Sequence, residues 1–398
     1  MASQITVPLL DLKAQYATIK NEVDDAVAAV LESQWFIMGP EVKSLEEEIA
    51  QYCHAKFAIG CASGSDALLL AFMAIDIKPG DEIICPAYTF FATGGSIARL
   101  GAVPVYADID PVTYNMDLNC VRQAAAKCKR LKAIMPVHLF GQTVDMTAYL
   151  KLAYELGVPL IEDAAQAIGA CDETGKPAGS RGNIGCFSFF PSKNLGACGD
   201  AGIITTNDEE LAEKLAKLRQ HGSKPKYYHK MVGINSRLDA MQAAILRVKL
   251  RHLPDWHKAR AENAARYDKM FTDAGAKTSA TPLTDDGFPL KTPQPASGSA
   301  THIYNQYVIR VPSEIRDDLR AQLTEKKIGS EIYYPVSLHL QECFAYLGYS
   351  QGDLPNSEAA ANETLALPIY PELTIEQQEY VASTVTTFIN EKACVAKA

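Results

Sequence analysis

The chain lacks most of what marks a protein built for an oxidising, membranous or nucleic-acid setting. Ten cysteines are scattered at positions 53, 61, 85, 120, 128, 171, 186, 198, 343 and 394, with no C-x-x-C pair and no tight cluster with histidine. That scatter argues against a disulfide framework and a cysteine-based metal site, and the expectation is reduced, mostly buried thiols. No apolar run approaches the roughly 18 residues of a membrane-spanning helix. The opening MASQITVPLLDLKAQY has neither the charged nor the continuous apolar region of a signal peptide. Blocks of one charge are also missing. The net charge of -9 is spread along the chain, so neither a nucleic-acid groove nor a membrane-surface patch is indicated. No G-x-G-x-x-G follows the first apolar run, which deprives a dinucleotide-binding oxidoreductase of its fingerprint. A cytoplasmic protein is expected.

What is present is a chain of 398 residues, 47% hydrophobic and 21% charged, enough for two cores. Between residues 57 and 206, short apolar runs alternate with helical stretches: FAIGCA, DEIICPAYTF, AVPVYADI, KAIMPVHLF, VPLIEDA, CFSFF and AGIITT. Runs rich in Ile and Val without strict alternation are strands buried on both faces, so an α/β domain on a largely parallel sheet is expected. The helices read beyond it are DEELAEKLAKLRQHG, RLDAMQAAILRVKLRHL and PDWHKARAENAARYDKMFTDAG. The segment from Thr281 to Ser299, rich in Pro, Gly, Thr and Asp, reads as an exposed loop. A strand (YNQYVIRVP), a helix, a second strand (SEIYYPV) and a final helix from near Thr374 make a small second α/β domain. The expected division is 1–250 and 251–398.

Three stretches carry chemistry. ASGSDA, residues 62–67, joins a strand to a helix, where free backbone N–H groups and the helix dipole bind an anion; the same stretch also reads as an ordinary capped turn. Asp163 in VPLIEDAAQAIGA ends an apolar strand, where ligands gather in open α/β sheets. It is suited to pair with a protonated ring nitrogen, with Gln166 near a neighbouring oxygen, or to cap a helix. In SFFPSKNLGACGDAG, Lys193 sits five residues after Ser188 among glycines and aromatics. It is either an exposed lysine or an amine kept partly neutral by desolvation, as a Schiff-base lysine must be. Phosphate cradle, strand-end acid and lysine, in that order, are the parts needed to hold pyridoxal phosphate.

Over nearly its whole length the sequence resembles the DegT/DnrJ/EryC1/StrS family of pyridoxal-phosphate-dependent sugar aminotransferases. The likeness rests on FIMGPEV, ASGSDALLLA, PAYTFFATGGSIARLGAVPVYADID, PVHLFGQ, IEDAAQAIGA, SFFPSKNLGACGDAG, HGSKPKYYHKMVGINSRLDAMQAAIL and LPIYPELT. The resemblance implies a type I aminotransferase fold, with a mostly parallel seven-stranded sheet in the large domain and a small C-terminal α/β domain. It also implies a homodimer with shared sites. By position, Lys193 matches the Schiff-base lysine, Asp163 the partner of the pyridinium nitrogen and Gln166 the residue near the ring oxygen. Phe90 matches the aromatic stacked on the ring, although PAYTFF equally supplies a core phenylalanine. Gly64, Ser65 and Ser188 match the phosphate contacts, and Asn235 matches the asparagine sent across the dimer interface to the phosphate. Arg237 and His339 lie in stretches that border the substrate pocket in relatives, where the bland alternatives are a surface arginine and a structural histidine. Lysine rather than histidine at 193 argues against the dehydratase branch. The implied reaction moves an amino group from glutamate to a nucleotide-linked keto-sugar, with carbon 3 preferred slightly over carbon 4. The alternatives are a keto-inositol acceptor or keto-sugar dehydration.

Overall fold

A computed structural model describes residues 5–281, 283 and 288–395. The elements run α1 (Leu12–Ser33), α2 (Pro40–Tyr52), β1 (Phe57–Cys61), α3 (Gly64–Ala74), β2 (Glu82–Pro86), α4 (Ala92–Arg99), β3 (Val103–Ala107), α5 (Leu118–Ala125) and β4 (Leu131–Ile134). There follow α6 (Met146–Leu156), β5 (Ile161–Asp163), β6 (Ile184–Ser188), β7 (Gly202–Thr206), α7 (Glu209–Leu218) and α8 (Ala240–Asp273). The C-terminal part holds β8 (Lys277–Thr278), β9 (Lys291–Thr292), β10 (Tyr307–Arg310), α9 (Ser313–Glu325), α10 (Pro355–Glu363), β11 (Thr364–Leu367) and α11 (Ile375–Val395).

Every apolar run read as a strand between residues 57 and 206 forms one. The ladders β1-β7-β6-β5 and β3-β2-β4 meet through parallel bridges Ile134–Leu160 and Val137–Asp163, which makes seven strands side by side. Only β7 runs antiparallel to its neighbours. The seam between the ladders passes beside Asp163, whose N–H donates to Pro136 O at 3.0 Å and whose carbonyl accepts from the His138 N–H at 2.9 Å, so that carboxylate stands at the C-terminal end of β5, where ligands gather in open α/β sheets.

Helix α3 explains much of the site's rigidity. Ala67, Leu68, Leu69, Leu70, Ala71, Phe72 and Ala74 are all buried, so the helix is apolar on nearly every face and is sunk into the core. Each large side chain there contributes about 1.5–3 kcal/mol by leaving water. Ser63 caps its start, accepting from the Asp66 N–H at 3.1 Å. The N-terminus of α3 is thereby fixed beside the sheet.

Four expectations are corrected. The two helices read on either side of Pro254 are one, α8. Proline removes one backbone donor at about 3 kcal/mol, but Leu250, Leu253 and Trp256 are buried against α1 and α2, and Ala264, Tyr267 and Phe271 against the C-terminal elements. Packing on both sides therefore keeps the helix continuous past Pro254, and residue 250 falls inside it. Among the described residues the stretch SEIYYPV makes only one bridge, Glu331–Ala366, and Tyr333 and Tyr334 line a cavity; the strand that pairs with β10 is β11. Within Thr281–Ser299, Pro282 and residues 284–287 lie outside the described residues, and Leu290, Lys291 and Thr292 are buried as β9 rather than exposed. Of the described cysteines, Cys53, Cys61, Cys85 and Cys186 are buried while Cys198 and Cys343 are exposed, so the thiols are free but not mostly buried. Among the described residues no helix is long and apolar enough to cross a membrane.

Candidate active site

The loop after β6 presents Lys193. Gly196 permits its tight path, since a Cβ there would come within 2.3 Å of the Pro191 carbonyl oxygen. The Lys193 N–H donates to Phe190 O at 2.8 Å, Leu195 is fully buried, and the buried Asn194 amide donates to Ile303 O at 3.0 Å. With both following residues anchored, the Lys193 side chain is left facing a cavity of 420 Å³. Removal from water lowers its pKa to about 8, against the opposing pull of Asp163. A half-buried lysine with a substantial neutral fraction near pH 8 is a nucleophile and a proton carrier.

Across the cavity, Asp163 is 4% exposed. Its Oδ2 accepts from Thr93 Oγ1 at 2.9 Å and its Oδ1 from the Ala165 N–H at 3.3 Å. Burial raises its pKa; the Thr93 and Ala165 hydrogen bonds and the Lys193 charge oppose that rise without cancelling it. A buried carboxylate with capacity to accept further hydrogen bonds is matched by a cationic N–H donor. Gln166 is locked between the Phe140 N–H, which donates to its Oε1 at 2.7 Å, and the Tyr334 hydroxyl, which its Nε2 meets at 3.1 Å.

At the other end the walls come together as an anion seat. Gly64 opens α3, and its amide and that of Ser65 have no acceptor among the described residues. A Cβ on Gly202 would come within 2.5 Å of the Ser63 carbonyl, so that glycine lets the backbone sink low enough to place both amides on the cavity wall. Ser188 completes the seat. Phe90, 55% exposed, lies at the rim with its ring 6.0 Å from that of Tyr334. Free amides, an unsaturated buried carboxylate and a lysine, spaced around 420 Å³, fit an anionic aromatic aldehyde.

The structure therefore brings Gly64, Ser65, Phe90, Asp163, Gln166, Ser188 and Lys193 into one cavity. It does not bring in Asn235, which is exposed, or Arg237, which lines a separate open groove of 690 Å³ with Ile37, Lys217 and Lys224. His339 is buried away from the cavity, its Nε2 3.1 Å from Glu358 Oε1, which is the structural alternative. Sequence reading missed Thr89, Thr93, Tyr333 and Tyr334, all of which line the cavity. Thr93 was within reach, because it lies only three residues after Phe90, in the first turn of α4, and its N–H donates to Phe90 O. The two tyrosines come from the C-terminal part, and nothing local to SEIYYPV signals it.

A seven-stranded sheet with a lysine, a strand-end acid and a helix-terminal anion seat defines an aminotransferase of the type I fold. Residues 17–386 match the model of the DegT/DnrJ/EryC1/StrS aminotransferase family, and the chain belongs to it. A pleiotropic regulatory protein of Geobacillus stearothermophilus is 50% identical, with 96% of this chain and 99% of that one covered. A UDP-N-acetyl-3-dehydro-alpha-D-glucosamine 3-aminotransferase of Acidithiobacillus ferrooxidans is 40% identical, covering 97% and 98%. The crystal structure of DesV from S. venezuelae, in complex with a ketimine intermediate, superposes with a TM-score of 0.89 at 38% identity, covering 96% and 98%. The protein is a pyridoxal-phosphate-dependent sugar aminotransferase.

Proposed function

We propose that the protein transfers the amino group of glutamate to a nucleotide-linked keto-sugar whose carbonyl is at carbon 3. The observation that carries this reading is the convergence of Lys193, Asp163 and the Gly64–Ser65–Ser188 seat on one cavity. The choice of carbon 3 is supported by the name of the Acidithiobacillus relative. When bound, pyridoxal phosphate supplies an aldehyde that carries the amino group and a ring that takes up electrons from the donor's α-carbon.

In this reading the Gly64 and Ser65 amides and Ser188 bind the phosphate, while Asp163 holds a proton on the ring nitrogen. Phe90 covers one ring face, and Gln166 stands by the ring oxygen. Lys193 Nζ carries the covalent attachment and moves the proton at the donor's α-carbon, a role suited to an amine with a pKa of about 8. Asn235, exposed and outside its own chain's cavity, reaches the phosphate of a second copy in a homodimer. The exposed Trp35, Phe36 and Ile37 support such an interface. Arg237 and the basic side chains beside it face the nucleotide in the same dimer. A cytoplasmic location and a division into cofactor-binding and C-terminal domains that meet along α8 belong to this reading.

The test is release of 2-oxoglutarate from glutamate by the purified, cofactor-loaded protein in the presence of UDP- or dTDP-linked 3-keto- and 4-keto-hexoses. Turnover with the 3-keto acceptors is expected. Turnover with the 4-keto sugars alone would overturn the carbon 3 assignment, and turnover with neither, or only with a keto-inositol, would overturn the acceptor class.

A further inference from the structure

Asp163 is the group on which the ring's charge depends, yet the carboxylate end of an aspartate is free to rotate unless something holds it. The Ala165 N–H holds Oδ1 at 3.3 Å, and two buried threonines on one turn hold Oδ2. Thr93 is 1% exposed and Thr89 3% exposed, and their hydroxyl oxygens lie 3.2 Å apart. Thr93 Oγ1 lies 2.9 Å from Asp163 Oδ2. A hydroxyl has one proton, and an ionised carboxylate can only accept. The Thr93 proton therefore goes to Asp163, and Thr93 Oγ1 accepts from Thr89. Donation runs one way along the chain, Thr89 to Thr93 to Asp163, and both hydroxyls are turned toward negative charge on the carboxylate.

We propose that Thr93 is a positioning residue for the reaction, orienting the Asp163 carboxylate and holding it ionised toward the cofactor ring nitrogen, with Thr89 orienting Thr93 in turn. The backbone couples this role to the ring face. The Thr93 N–H donates to Phe90 O at 3.1 Å, so the turn that aims Thr93 also sets Phe90 at the cavity rim. One short segment, residues 89–93, thus addresses both the face and the nitrogen of the ring. The inference rests on the reading of this cavity as the cofactor site.

The experiment compares wild type with Thr93→Val, which keeps the shape and loses the hydroxyl, and Thr93→Ser, which keeps the hydroxyl and loses the methyl group. Three readouts are taken: the dissociation constant for pyridoxal phosphate, the nitrogen chemical shift of bound 15N-labelled cofactor, and kcat and KM for glutamate. For Thr93→Val the pyridine nitrogen shift should move toward the unprotonated value and kcat should fall about tenfold or more, the loss expected of one hydrogen bond to a charged group, while KM changes little. Thr93→Ser should restore the nitrogen shift and kcat. Thr89→Val, which leaves the bond to Asp163 in place, should show a smaller change of the same sign, and it serves if Thr93→Val does not fold. A Thr93→Val protein with an unaltered nitrogen shift and kcat, or a Thr93→Ser protein as impaired as Thr93→Val, would overturn the proposal. Wild-type protein that binds no pyridoxal phosphate would instead overturn the assignment of the cavity, and this inference with it.

Discussion

Gly64 rests directly on Ser188: a Cβ added to the glycine would lie 2.5 Å from the Ser188 Cβ, closer than real carbon atoms approach. The absence of a side chain at 64 is therefore what lets the start of α3 and the end of β6 share one anion seat. Gly64→Ala should push the two apart and weaken pyridoxal phosphate binding by about tenfold or more, roughly 1.4 kcal/mol. Fluorescence titration of the apoprotein measures this. Unchanged affinity would place the phosphate elsewhere.

The pH dependence of cofactor capture follows from Lys193. Only the neutral amine attacks an aldehyde, and burial brings this lysine's pKa down to about 8. Below that pH the protonated form dominates, so the rate at which apoprotein captures pyridoxal phosphate should climb about tenfold per pH unit up to 8 and then level off. An ordinary lysine would still be climbing at pH 9. Stopped-flow absorbance distinguishes the two, and Lys193→Ala should show no capture and no turnover.

Asp163→Asn should keep the cofactor but lose the charge that holds a proton on its ring. Turnover should fall on the order of 10²-fold, with the dissociation constant for pyridoxal phosphate changed far less. Steady-state kinetics beside a binding titration separates the two effects; equal losses in both would make Asp163 only a binding residue.

Next to Asp163 in sequence, Glu162 has a different task. Its carboxylate is buried and accepts from the Gly179, Arg181 and Gly182 amides and the His138 ring. His138 Nδ1 accepts from the Val144 N–H, which leaves the ring proton on Nε2 facing Glu162. Burial alone would raise the glutamate's pKa, but these donors outweigh it and the net shift is downward from 4.5. Because the folded-state pKa is depressed, the stabilisation is present above pH 4.5 and is lost as the pH falls below it. Glu162→Ala should cost about 3 kcal/mol or more at neutral pH by orphaning these donors, and should flatten the acid limb of stability. Urea denaturation at pH 7 and pH 4 reads both.

If Asn235 completes the partner's site, two damaged proteins should repair each other. Lys193→Ala and Asn235→Ala proteins, mixed and allowed to exchange subunits, should regain activity, because each mixed dimer holds one site with both residues intact. Activity that never exceeds the sum of the separate variants would show that each chain works alone.

Part of this protein is determined locally. Each strand from β1 to β7 is an apolar run bounded by polar or glycine-containing stretches, and strands buried on both faces leave that mark because any polar side chain there would go unsolvated. The glycines around Lys193 and the small residues of ASGSDA are legible for the same reason: they mark where backbone must pass within contact distance of backbone. The order of cradle, acid and lysine is thus legible in the sequence alone. Other features depend on what arrives from far along the chain. Pro254 argues for a helix break, and only burial of α8 on both sides overrules it. The two tyrosines of SEIYYPV resemble a strand until the pairing of β10 with β11 leaves them free to turn into the cavity. His339 could have pointed either way, and its contact with Glu358 settles that it points inward. Thr93 is one threonine among many until β5 delivers Asp163 to its hydroxyl, across 70 residues of sequence. Composition and pattern determine which segments must be buried and where the backbone must turn sharply, because those demands are met within a few residues. Which side chains finally face one another is decided by tertiary packing, because a contact between distant segments has no energy until both are in place.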